Sequence, residues 1–217
     1  VTFVRSTEIG KHIYSIAAAH GKRVQAQCEA KNHALVLEDC DLESATNAII
    51  NSTYGCAGMR CMALPVVVVQ ESIADRFVAL LKKKAMELKI GCAYDPETKL
   101  GPVVNAEHKK FICDWIQKGV DEGAELVLDG RDVVVPGYEG GFFVGPTIFD
   151  HVEPGMTIGD REIFGPVTII KRVKTFEEGL ALMNANPFAN GSVIFTQSGY
   201  YARQFELLTD GGMVGVN

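Results

Sequence analysis

Short runs typical of buried strands, without regular polar alternation, recur along this chain, and they restrict its fold more than any other feature. They lie at Ala34 to Leu37, Val66 to Val69, Leu126 to Leu128, Val167 to Val173 and Ser192 to Phe195. A strand with one wet face alternates apolar and polar side chains; one without that alternation is covered on both faces. Between these runs, apolar residues recur at helical spacing. Ile9, Ile13, Ile16 and Ala17 follow a start at Ser6 or Thr7, and Leu42, Ala45, Ala48 and Ile49 follow Asp39 or Asp41. Ser72 opens a stripe of Ile73, Phe77, Leu80, Leu81 and Leu88, and Asn105 opens one of Phe111, Ile112, Trp115 and Ile116. Thr175 and Glu178 form a capping box ahead of Phe176, Leu180 and Met183, and a last helix carries Tyr201, Phe205 and Leu208. Buried strands separated by helices predict an α/β fold, a mostly parallel sheet with helices on both faces. Residues 129–149, rich in Gly and Pro, read as irregular loop with short strands, and the closing GGMVGVN reads as a strand.

The net charge of −6, with no run of basic residues, excludes a nucleic-acid surface. No apolar stretch is long enough to span a bilayer, so no membrane partner is expected. The six cysteines form no CxxC pair and the five histidines show no metal-ligand spacing, so no metal is expected and the thiols read as free. Most of them are expected to be small buried residues. The opening VTFVRSTEIGKH has no signal-peptide h-region and begins inside a structural pattern, which reads as a fragment of a longer protein.

The segment richest in chemistry is Tyr54 to Ala63, YGCAGMRCMA, between a helix and the strand PVVVV. Gly55 and Gly58 allow close backbone approach, and Cys61 sits on a loop beside Arg60. Cysteine attacks as the thiolate, so a neighbouring cation or inward-pointing N–H groups favour its reactive form. On spacing alone, a buried structural cysteine ahead of a core strand remains an open alternative.

This segment resembles the nucleophile motif of the aldehyde dehydrogenase family, a small-residue loop of the form GQxC. The match places the catalytic thiol at Cys61 rather than Cys56, with Met59 where the family has Gln. Further blocks follow in the family's order. FVRSTEIG, Phe3 to Gly10, resembles FxGSTxxG, in which a helix N-terminus meets the NAD pyrophosphate; the resemblance makes Ser6 the phosphate-side ligand, with Arg5 where the family has Gly. REIFGPV, Arg161 to Val167, resembles EIFGPV, which assigns Glu162 to the nicotinamide ribose and Phe164 to the nicotinamide ring. FVGPTIF (Phe143 to Phe149) and NPFANGSVIFT (Asn186 to Thr196) resemble two downstream blocks. The resemblance implies residues 1–30 as the end of a Rossmann-like NAD-binding domain and 31–217 as the catalytic thiol domain, truncated at its end.

Hydrolytic members carry a Glu in ELGGK that activates water; the matching QCEAKNH, Gln27 to His33, has Gln27 there. An amide cannot take that proton at neutral pH. Glu29 on an extended segment would lie about 7 Å further along. An acyl-enzyme without a base for water calls for a better nucleophile, and coenzyme A is one. AKNH, GxRCMA, FVGPT and NPFANG together resemble the CoA-acylating branch that oxidises malonate and methylmalonate semialdehydes with NAD. The resemblance implies a Cys61 thioester, an oxyanion at the Cys61 N–H, and Arg60 as a candidate for contact with the substrate carboxylate. Such enzymes are homo-oligomers, dimers or tetramers, in the mitochondrial matrix in eukaryotes and the cytoplasm in bacteria. A hydrolytic enzyme and a non-catalytic homologue or fragment stand as alternatives.

Overall fold

The computed structural model describes residues 1–188 and 190–217. Ala189, inside the NPFANG block, lies outside the described residues. Two compact units form, Val1–Ala30 and Lys31–Asn217.

In the first unit, β1 (Thr2–Val4) leads into α1 (Thr7–Ala19), and β2 (Gln25–Gln27) returns parallel to β1. Ser6 stands at the N-cap of α1, but its side chain makes no capping hydrogen bond. Instead the N–H of Thr7 donates to Glu29 Oε2 at 3.0 Å, setting a carboxylate at the positive end of the helix. Gly10 is required by contact: a Cβ there would fall 2.3 Å from Cys28 Sγ.

The second unit is built on β3 (His33–Val36), β4 (Val66–Gln70), β5 (Glu125–Leu128), β6 (Thr147–Asp150), β7 (Val167–Val173), β8 (Gly191–Phe195) and β9 (Met213–Val216). They form one sheet in the order β5-β6-β7-β4-β3-β8-β9. All neighbours are parallel except β5 and β6. β3 and β4 occupy the middle, and every residue of His33–Val36 and Val66 to Val69 is buried. Each of those valines contributes roughly 1.5–3 kcal/mol relative to exposure.

Among the described residues six α-helices serve this unit: α2 (Leu42–Tyr54), α3 (Glu71–Met86), α4 (Ala106–Asp121), the short α5 (Thr157–Asp160), α6 (Phe176–Asn184) and α7 (Gly199–Leu208). The side chains they meet show that both faces are covered. Tyr54 of α2 receives a hydrogen bond from Thr168, and Asp75 of α3 pairs with Arg172. Thr168 and Arg172 share one face of β7. On the other face Gly179 of α6 lies against Leu35 and Val68, and Gly159 of α5 against Lys171. The α/β fold with a mostly parallel sheet is thus the observed one.

Three expectations are corrected. Helix α3 has Gln70 rather than Ser72 at its N-cap, two residues earlier, and the Ser72 hydroxyl inside the first turn donates to Glu38. In the Thr175 box, Glu178 accepts from the Lys174 N–H rather than from the cap residue itself. Finally, none of the six cysteines is fully buried; Cys28, Cys40, Cys92 and Cys113 are half-buried and Cys56 and Cys61 exposed, all unbonded. Cys28, Cys40 and Cys92 flank regular elements rather than filling the sheet's interior.

Among the described residues, no helix is long and apolar enough to cross a membrane, and no cluster of potential metal ligands forms.

Candidate active site

Helix α2 ends against the sheet. The Tyr54 hydroxyl lies 2.7 Å from Thr168 Oγ1, and Thr53 donates to the Leu64 carbonyl at 2.5 Å. Past that anchor the backbone turns abruptly: Cys56, Ala57 and Gly58 carry φ of 53°, 54° and 70°. Left-handed backbone is costly for residues with a Cβ, and clustering of such residues marks a loop over-determined by its surroundings. The constraint is visible at Gly58, where a Cβ would fall 2.1 Å from the Gly165 carbonyl oxygen. The thiol loop and the Glu162 to Pro166 strip therefore meet backbone to backbone.

Beyond Met59, which packs on the core, the chain closes a turn in which the Ala63 N–H donates to the Arg60 carbonyl at 3.0 Å. Cys61 occupies this turn and is exposed. Its N–H makes no hydrogen bond among the described residues, whereas its carbonyl is held by two amides. Asn32 Nδ2 donates to it at 2.9 Å and Asn190 Nδ2 at 3.1 Å. Asn32, almost fully buried, also donates to the Ala63 carbonyl at 2.5 Å and accepts from the Gly191 N–H at 2.7 Å. Neither asparagine was singled out by sequence reasoning, although both lie in quoted blocks, AKNH and NPFANG. Two other thiols are held protonated: burial, then Asp39, pushes Cys40 up to about 11, and burial raises Cys113.

Arg60 is exposed, and its Nη2 donates to the carbonyls of Asn51 and Ser52 at 2.9 and 2.8 Å. It thus caps the last turn of α2, where a cation complements the helix dipole. Its remaining guanidinium N–H groups make no hydrogen bond among the described residues. Phe164 has φ of 57° and is 39% exposed as a residue, between buried Ile163 and Gly165. Its carbonyl lies 2.7 Å from His108 Nε2. Glu162 is half-buried. The structure thus brings Cys61, Arg60, Glu162 and Phe164 onto two abutting strips of one unit, while Ser6 belongs to the other unit.

Beneath the second strip, fully buried Lys31 donates to the carbonyls of Ile158 and Arg161 at 3.1 and 2.5 Å, fastening the segment that leads into Glu162. Burial, reinforced by Lys171, lowers its pKa to about 7 against the opposing pull of Asp160 and Glu162. His33 is buried too, its Nδ1 2.7 Å from the Lys31 carbonyl, and burial lowers it to about 3 from 6.5. Between those values the unfolded chain binds a proton that the folded chain refuses, so stability falls as pH drops from 6.5 towards 3. The slope from this one group is at most ~1.4 kcal/mol per pH unit. Urea unfolding from pH 7 to 4 is expected to show this decline, and His33→Gln to flatten it; parallel profiles for the two proteins would contradict the assignment.

Comparison with known proteins shows what this chain resembles. The family model described as "Aldehyde dehydrogenase family" matches residues 1–217. The mitochondrial acylating methylmalonate-semialdehyde dehydrogenase of Arabidopsis thaliana is 46% identical over the whole chain, which covers 36% of that protein. Malonate-semialdehyde dehydrogenase 2 of Oceanobacillus iheyensis is 48% identical over the whole chain, covering 44% of it. A crystal structure described as a methylmalonate-semialdehyde dehydrogenase of Sinorhizobium meliloti complexed with NAD superposes with a TM-score of 0.97 at 43% identity. The superposition covers all of this chain and 44% of that one. The chain therefore spans less than half the length of these relatives. A family match that runs from the first residue to the last, over the same fold, means that this chain belongs to the aldehyde dehydrogenase family.

Proposed function

We propose that this chain carries the thiol and the nicotinamide-side strip of an NAD-dependent, CoA-acylating dehydrogenase of malonate and methylmalonate semialdehydes, with Cys61 as the nucleophile. The observation that carries this reading is the exposed Cys61, carbonyl pinned by two amides and N–H unengaged, on a loop abutting the Phe164 strip. The named relatives support the substrate class. By this reading residues 1–30 are the end of the NAD-binding domain and 31–217 the catalytic domain.

NAD fits the residues present at its nicotinamide end, where Phe164 offers an accessible apolar ring and Glu162 a carboxylate for the ribose. At α1, Glu29 already holds the Thr7 N–H, so a phosphate beside Ser6 draws on the next N–H groups of that first turn or displaces the carboxylate. Bound NAD+ supplies the acceptor for a hydride. Cys61 Sγ, as thiolate, forms a bond to the aldehyde carbon, and the oxygen that becomes negative is met by the Cys61 N–H. Once the hydride has left that carbon, the acyl group is held as a thioester on Cys61. Arg60, anchored through Nη2, is the candidate to meet the substrate carboxylate with its other N–H groups. Loss of that carboxylate as carbon dioxide leaves electrons on the neighbouring carbon, which takes a proton. The CoA thiol then displaces Cys61, carrying the acyl group away.

The CoA step is tested by mixing the full-length protein with malonate semialdehyde and NAD+ and following NADH with and without CoA. Turnover is expected to collapse without CoA after about one equivalent of NADH per Cys61. An undiminished rate without CoA would instead support a hydrolytic enzyme.

A further inference from the structure

Phe164 is held in an unfavourable backbone conformation, and the side chain that holds it comes from a different element. Its φ of 57° lies in the left-handed region, which a bulky residue adopts only where its surroundings impose it. Its carbonyl is met by Nε2 of His108 at 2.7 Å, across 56 residues of sequence. A carbonyl oxygen only accepts, so Nε2 carries the proton in this contact. His108 is itself fixed. Its N–H donates at 2.8 Å to Asn105, the N-cap of α4, and its ring stacks on Phe111 with centroids 5.7 Å apart. The same ring stands edge-on to the Phe164 ring, with centroids 6.4 Å apart. One turn along α4, Ile112 closes on the next residue of the strip: a Cβ on Gly165 would fall 2.7 Å from Ile112 Cδ1.

We propose that His108 is a positioning residue, whose hydrogen bond to the Phe164 carbonyl, seen together with the edge-on ring contact, sets the Phe164 ring against the nicotinamide. The inference rests on the reading of Phe164 given above. His108 touches no reacting atom; it acts by keeping the Phe164 ring at one angle. Misplacement of about 1 Å around a reacting centre can cost on the order of a hundredfold in rate, so losing this tie matters for hydride transfer rather than for folding.

The test uses the full-length protein with His108→Ala, His108→Gln, Phe164→Ala and the double variant His108→Ala with Phe164→Ala. The readouts are kcat, KM for the aldehyde and the deuterium isotope effect with aldehyde labelled at C1. His108→Ala is expected to lower kcat by about tenfold to a hundredfold and to unmask a primary isotope effect, with aldehyde KM changed less than about threefold. His108→Gln, whose amide N–H can reach the same carbonyl, is expected to restore most of the rate. The double variant should be little worse than Phe164→Ala, as for two residues acting as one unit. Wild-type kinetics for His108→Ala alongside an impaired Phe164→Ala would overturn the inference. So would a loss that His108→Gln fails to rescue and that leaves the isotope effect unchanged, since that is the behaviour of a purely structural residue. A silent Phe164→Ala would instead overturn the reading of Phe164 itself, and the inference with it.

Discussion

Replacing Cys61 with Ser is expected to lower NADH formation by about four orders of magnitude or more in the full-length protein. A serine hydroxyl at neutral pH is a far weaker nucleophile than a thiolate, and no acyl intermediate forms without one. The comparison that gives the experiment its force is Cys56→Ser, five residues earlier on the same loop and also exposed. Cys56 lies before the Gly58 contact, in the left-handed segment, and no asparagine holds its carbonyl. Its replacement should leave turnover within about threefold, the range of a side chain that only packs. Mass spectrometry after aldehyde and NAD+ are mixed without CoA should find the acyl group on Cys61 in the Cys56→Ser protein. Retained activity in Cys61→Ser, or an acyl group on another residue, would remove the central assignment and favour a homologue that binds without turning over.

The second large effect concerns Asn32. Truncation to Ala removes three hydrogen bonds at once and strands the Gly191 N–H and the Ala63 carbonyl, while the Cys61 carbonyl keeps only Asn190. Each buried polar group left unpaired costs about 1–3 kcal/mol, so a loss of roughly 2–5 kcal/mol is expected. For a domain of this size that corresponds to a Tm drop of roughly 5–15 °C. The effect on chemistry should be separable. With Cys56 replaced by Ser to leave one exposed thiol, iodoacetamide should modify Cys61 at a rate several-fold different from that in the Asn32-containing protein, at temperatures where both are folded. Asn32→Asp keeps the shape but turns donors into acceptors facing two carbonyls, and it should be at least as destabilising as Asn32→Ala. An Asn32→Ala protein with unchanged Tm and unchanged thiol reactivity would show that the amide clamp does not hold the turn.

These two residues also show how far the sequence could be read. Central strands and long helices were legible because their signals are local: Val66 to Val69 and the Asn105-capped stripe advertise themselves within a dozen residues. Cys61 is singled out by its family motif, and the structure places it exposed in a turn. Asn32 and Asn190 were not, because an amide reaching a carbonyl 29 or 129 residues away leaves no periodic trace in the chain. His108 escaped for the same reason, and its pairing with a backbone oxygen gives Phe164 no sequence signature either. Arg60 was read as a neighbour of the thiol; its engagement with the end of α2 depends on the loop doubling back over Gly55, which adjacency in sequence does not reveal. The strand Thr147–Asp150 and the single turn Thr157–Asp160 are too short to display a period.

At Gly58 and Gly165, main chain rests on main chain, with no side chain between to serve as a spacer. Distances set by peptide geometry cannot be tuned by substitution in small increments. Descendants of this sequence can therefore reshape the outer walls of this region, but the spacing between the Cys61 loop and the Phe164 strip is inherited whole or lost.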